Sequence, residues 1–179
     1  MLGVEPAGLA RKLAASAYEG LLVAALLLLV GFALLPIVTP TNPVSALGGP
    51  GSDQPVPYLM SRPARVASGA LLFGVCGAYC IGLWSGGRRT LPMKTWRLAL
   101  RSTGGAPVPA QTVTLRYFAC WTGPALAIAG YLALAPSGHG RWALALLALN
   151  YAWALVDRDR QYLQDRIAGT RLFVLPPER

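Results

Sequence analysis

Apolar residues fall in four long blocks, and polar residues collect in the segments between them. A spanning helix needs about 20 mostly apolar residues. The first block runs from Leu13 to about Leu35 with Glu19 as its only charge, and Pro36 and Pro40 mark its expected end. The second, Val66 to Trp84, is uncharged and closes on Ser85-Gly86-Gly87. The third, Tyr117 to Ala135, starts just after Arg116 and ends at the turn Pro136-Ser137-Gly138-His139-Gly140. The fourth, Trp142 to Val156, has only 15 residues between Arg141 and Asp157, so it is expected to snorkel its flanking charges or thin the bilayer.

Elsewhere the period changes. Trp96, Leu98 and Leu100 alternate with Arg97, Ala99 and Arg101, the spacing of a short half-buried strand. Thr170 to Leu175 repeats that alternation, and the two runs are expected to pair. The segment from Asp157 to Ala168 alternates acid and base before Gly169, as a solvated helix with a glycine cap does. From Thr39 to Arg65 the chain is rich in Pro, Gly and Ser, the composition of a flexible loop. The expected fold is therefore all-α: one membrane domain over residues 1–179, with four transmembrane helices and a short β-like excursion.

Composition supports this. Only 13% of the 179 residues are charged and 54% are hydrophobic, whereas soluble domains carry about 25% charged residues. The net charge of +9 has no nucleic-acid recognition motif beside it, so no nucleic-acid partner is expected. Thirteen of the 16 Lys and Arg flank the spans on one side, and only Arg62, Arg65 and Arg141 lie on the other. The positive-inside rule then puts both termini and the second loop in the cytoplasm, as expected for a multi-pass protein of a bacterial cytoplasmic membrane.

Three cysteines give neither a disulfide framework nor metal spacing, and His139 stands alone in its turn, so no metal or cofactor is expected. No nucleophile with an adjacent base suggests an enzyme. Ala70, Gly74, Ala78 and Gly82 recur every four residues, a face on which a neighbouring helix can approach closely. Asn150 is read as a bridge between helices. The sharpest feature is Glu19. A charge at that depth costs roughly 2.5–3.5 kcal/mol and calls for a partner or a proton. Arg11 lies eight residues earlier, about 12 Å along the axis and about 80° around it. Arg116, at a similar depth on another helix, is the better counter-charge. Glu19 is thus read either as one member of a static ion pair or as a proton or cation site.

These motifs resemble the RDD family of small membrane proteins, named for an arginine and two aspartates. An Arg followed eight positions on by an acid is seen in Arg11 to Glu19, with Glu where the family has Asp. The middle signature looks like Gly87-Arg88-Arg89-Thr90-Leu91-Pro92-Met93-Lys94-Thr95-Trp96-Arg97-Leu98, with Pro92 in place of a usual Gly, and Arg116 matches the later Arg. The last appears as Gln164-Asp165-Arg166-Ile167-Ala168-Gly169-Thr170, with Gln164 in place of His. The resemblance implies membrane transport, with cation/proton antiport suggested for some members. Glu19 and Asp165 are then the expected ion- or substrate-binding residues, Arg11 and Arg116 their counter-charges, and a homo-oligomer the expected assembly. The alternative is a scaffold that binds a partner protein or anionic lipid through its basic face.

Overall fold

The computed structural model describes residues 5–38 and 60–176. The order is α1 (Leu9–Val38), α2 (Arg62–Trp84), α3 (Leu91–Thr95), β1 (Leu98–Ser102), α4 (Ala110–Cys120), α5 (Thr122–Leu134), α6 (Leu149–Val156), α7 (Leu163–Ala168) and β2 (Thr170–Val174). Tighter 3-10 turns occupy Ala135–Ser137 and Gly140–Ala148. Three stretches, Leu9–Ile37, Arg62–Trp84 and Ala110–Ser137, are long and apolar enough to cross a bilayer. Each carries large apolar side chains exposed on its own surface, Leu28, Leu29 and Phe32 on the first, Val66 on the second and Ile128 and Leu132 on the third, as suits lipid rather than water. The chain is a membrane protein.

The first three apolar blocks are helical, but their limits move. α1 begins at Leu9 and runs through Pro36 to Val38. The proline lacks the amide that would bond the Phe32 carbonyl, and in a last turn that omission costs one bond rather than a helix. α2 begins at Arg62, with Pro63 in its first turn, where a missing amide is harmless. The remainder of the Pro/Gly-rich segment, residues 39–59, lies outside the described residues. The third block starts seven residues early, at Ala110, so Arg116 sits inside a helix rather than before one.

That third helix breaks at Trp121, and the sequence contains the reason. Pro124 has no amide to offer the Cys120 carbonyl four residues back. Asn150 of α6 fills the gap, its Nδ2 donating to the Cys120 carbonyl at 2.6 Å and to that of Ala119 at 3.3 Å. The bridging role read for Asn150 is thus realised as backbone repair.

The fourth block is a nine-residue 3-10 stretch followed by the eight residues of α6. A 3-10 helix rises about 2.0 Å per residue and an α-helix about 1.5 Å, so the segment reaches about 30 Å. Wound wholly as α-helix it would reach only about 25 Å. The tighter winding is held by close packing on α5. A Cβ at Gly123 would lie 2.8 Å from the Leu146 carbonyl oxygen, and one at Gly130 would lie 3.0 Å from the Ala143 methyl.

β1 and β2 pair antiparallel as expected, Leu98 opposite Val174 and Leu100 opposite Leu172, but the strand starts at Leu98, past Trp96 and Arg97, and Ala99 is buried along with its neighbours. The N-terminal segment joins them, Ala7 N–H donating to the Leu172 carbonyl at 3.0 Å and Val174 N–H to that of Glu5 at 2.9 Å. Helix α7 is shorter than expected, because residues 157–162 turn rather than coil.

By contact the chain divides into two compact units, Leu22–Cys76 and the combination of Met1–Leu21 with Gly77–Arg179. The first holds an apolar groove of about 540 Å³ lined by Ala24, Leu27, Leu28, Gly31, Phe32, Leu35 and Leu72. The second contains every predicted site residue. On the small-residue stripe, a Cβ at Gly74 or at Gly82 meets no described residue within 4 Å. The close approach falls instead at Gly77, where a Cβ would lie 3.1 Å from the Tyr117 ring.

Candidate functional site

Arg116 is the hub. Starting α4 at Ala110 turns this guanidinium inward, where Nε donates to Asp165 Oδ1 at 2.7 Å with side-chain exposures of 5% and 1%. Thr170 Oγ1 donates to the same oxygen at 3.3 Å. The Asp-x-x-Ala-Gly-Thr spacing makes this possible. Gly169 caps α7 at φ +63°, a left-handed turn that glycine adopts without strain, and it returns Thr170 toward Asp165. The indole of Trp84, at the end of α2, lies 4.1 Å from the guanidinium carbon, a cation–π contact that covers the charge.

Glu19 belongs to the same interior but to a different partner. Its Oε2 accepts a 2.6 Å hydrogen bond from the hydroxyl of Thr90. Thr90 is fully buried and also caps α3 by accepting from Met93 N–H at 3.4 Å. The Tyr79 hydroxyl is directed at the same carboxylate, and Arg116 is close enough to act on it through space. Glu19 Oε1 is buried with no hydrogen-bond partner among the described residues. The expected assignment of Arg116 as the ion-pair partner of Glu19 is therefore corrected: the guanidinium's ion pair is with Asp165. Placing Arg116 in a helix aims its head at α7, and Thr90 reaches Glu19 first.

Arg11, the other expected counter-charge, is half-buried and makes no ion pair with a described residue. Its neighbour Lys12 is the cation that turns inward. Only 1% exposed, its Nζ donates to the Arg160 carbonyl at 2.9 Å, with Asp157, Asp159 and Asp165 in electrostatic range. The signal lies in the helical period. Lys12 precedes Glu19 by seven residues and shares its face to within about 20°, while Arg11 is about 80° away. Ser16 lies on that face too and donates to the Tyr162 hydroxyl at 3.3 Å.

The turn after α6 supplies the floor of this interior. Asp157 Oδ2 accepts from the amides of Asp159 and Gln161, each at 3.0 Å. Asp159 pairs with Arg166 and Arg171 at 3.2 and 3.1 Å. The solvated helix expected here is corrected, since Gln161, Tyr162, Gln164 and Asp165 are all buried. Burial pushes the Tyr162 hydroxyl up to about 12, so it stays a neutral hydrogen-bonding group, its ring edge-on to Tyr151 at 5.0 Å. The Gln161 amide bond, ahead of the lesser pull of Arg166, holds the Asp157 carboxyl below its ordinary 3.8. A depressed carboxylate stabilises the fold above its unfolded pKa and loses that contribution as pH falls through the folded value. The Asp159 and Gln161 amide shifts are accordingly expected to titrate together on acidification, with a midpoint below 3.8. A midpoint at or above 3.8 would break this account of the turn.

The chemistry available is thus a guanidinium–carboxylate pair shielded by indole, and a separate carboxylate with one oxygen engaged and one open. Arg116 Nη1, Trp84 Nε1, Asn150 Oδ1 and Gln164 Oε1 are also buried without partners among the described residues, an unusual concentration, since buried polar groups are nearly always satisfied. Among the described residues no cluster of three or more His, Cys, Asp or Glu is placed to hold a metal. His139 is exposed in its turn.

No curated protein and no solved structure matches the chain. The model of the RDD family matches residues 6–169, a span that includes Glu19, Thr90, Arg116 and Asp165. The chain belongs to the RDD family of membrane proteins.

Proposed function

We propose that this protein moves a small cation, a proton or another small ligand across the membrane, with Glu19 as the carboxylate that binds or is protonated. The observation that carries this reading is Glu19 Oε1, an acceptor out of water with no donor assigned to it. Such an oxygen is costly to leave bare, and a passing cation or proton relieves the cost. Thr90 holds the other oxygen of the carboxylate in place. Asp165 closes the cytoplasmic end in this reading, with Arg116 as its counter-charge, while Arg11 contributes positive potential at the entrance. The reading takes Gly140–Val156 as a fourth span with both termini in the cytoplasm of a bacterial cell. It joins copies of this single membrane domain in a homo-oligomer, since four helices enclose a narrow path.

The test is ion flux in proteoliposomes. Wild-type protein is expected to conduct or exchange cations, and Glu19→Gln to lose that flux while keeping its thermal stability. Flux unchanged in the variant removes Glu19 from the mechanism. One feature favours a second reading, a static scaffold without enzymatic activity: Asp165 Oδ1 takes both the Arg116 guanidinium and the Thr170 hydroxyl in a buried cluster. Absence of flux in wild-type protein selects that reading.

A further inference from the structure

The outward face of the α2–β1 connection is used by neither the buried interior nor the transport reading. Helix α3 turns Pro92 and Met93 inward and leaves Leu91 (54% exposed), Lys94, Trp96 (38% exposed) and Arg97 outward. The patch starts only seven residues beyond the end of the spanning helix α2, so it lies beside the membrane surface. An apolar and an aromatic side chain flanked by cations suits that boundary, where indole rings settle at headgroup level and long basic side chains reach outward to phosphate.

A second observation concerns Arg97 itself. Its backbone sits at φ +51°, a region where a side chain is strained and glycine is not. The turn is fixed there, Arg97 N–H donating to the Lys94 carbonyl at 3.1 Å and Leu175 N–H to the Arg97 carbonyl at 2.7 Å. Yet neither the Arg97 guanidinium nor the Lys94 ammonium has a hydrogen-bond or ion-pair partner among the described residues. A strained position occupied by a large cation with no partner inside the fold indicates a partner outside it.

We propose that Leu91, Lys94, Trp96 and Arg97 form an interfacial anchor for anionic lipid, Leu91 and Trp96 entering the acyl boundary while Lys94 and Arg97 engage headgroup phosphates. The partner is a lipid rather than an acidic protein because apolar and cationic groups alternate within one short segment beside a span. The proposal does not depend on whether Glu19 carries an ion.

The full chain is reconstituted in mixed bilayers containing brominated phosphatidylglycerol or brominated phosphatidylcholine. Trp96 quenching is read as the difference from Trp96→Phe. The phosphatidylglycerol lipid is expected to quench Trp96 at lower mole fraction. Each cation near an anionic surface is worth roughly fivefold in affinity, so Arg97→Gly reduces the preference about fivefold and K94E/R97E abolishes it. Arg97→Gly also relieves backbone strain, so its thermal stability is retained or raised, which separates lost lipid binding from lost folding. Arg97→Lys keeps the preference. Equal quenching by both lipids, or an Arg97→Gly variant with unchanged preference, overturns the proposal. Quenching by neither overturns it as well and points to a protein on this face.

Discussion

Arg116→Met is expected to destabilise the protein by about 3–5 kcal/mol, the usual cost of removing one partner from a buried ion pair. The penalty comes less from the lost attraction than from what remains. Asp165, 1% exposed on its side chain, keeps a carboxylate that Thr170 alone cannot compensate, and Trp84 loses the cation it covers. Asp165→Leu should cost a similar amount, because it strands the guanidinium. The double variant R116M/D165L should be much less damaged than the sum of the two, since a buried pair exchanged for apolar groups of similar volume is often neutral. Unfolding of the four proteins in detergent completes the cycle. Additive losses would mean that the 2.7 Å contact contributes no coupling.

The second expected result concerns the repaired helix break. Asn150→Leu removes the donor that serves the Cys120 and Ala119 carbonyls, and each buried carbonyl left bare costs about 1–3 kcal/mol. Hydrocarbon makes this worse, because no solvent is present to take over. The remedy is local. Pro124→Ala restores the amide four residues after Cys120, so Asn150→Leu should cost markedly less in a Pro124→Ala background than in the natural one. Equal penalties in both backgrounds would show that Asn150 is not replacing the bond that proline deletes.

Much of the architecture is legible in the residue pattern. The apolar blocks locate α1, α2 and α4–α5 because bilayer thickness dictates their length, and they also mark the apolar Gly140–Val156 segment. The strand pair is readable because a two-residue period places alternate side chains on opposite faces, which a helix cannot do. Gly169 is readable because a helix ending beside it needs a left-handed residue. Glu19, Arg116 and Asp165 stand out in the sequence, and all three reach the interior, yet the pairing expected among them differs from the one that forms. Depth along a helix axis is countable from sequence, but the azimuth of Arg116 depends on a helix starting at Ala110, which polar Gln111 and Thr112 obscure. Thr90 gives no sign of its role, because a threonine in a basic loop resembles solvent-facing chain. It is buried, and its hydroxyl reaches Glu19, a contact 71 residues apart in sequence.

The amino-acid order determined by itself that this chain lives in a bilayer, where its spans lie, and that a carboxylate must enter the first of them. Those follow from hydrophobic length and from the cost of charge in hydrocarbon, which are local quantities. Only the tertiary structure decided that Asp165 takes Arg116, that Thr90 holds Glu19, and that Lys12 rather than Arg11 turns inward. Competition among polar groups for partners is settled by distances between elements far apart in sequence, and a linear pattern carries no such distances.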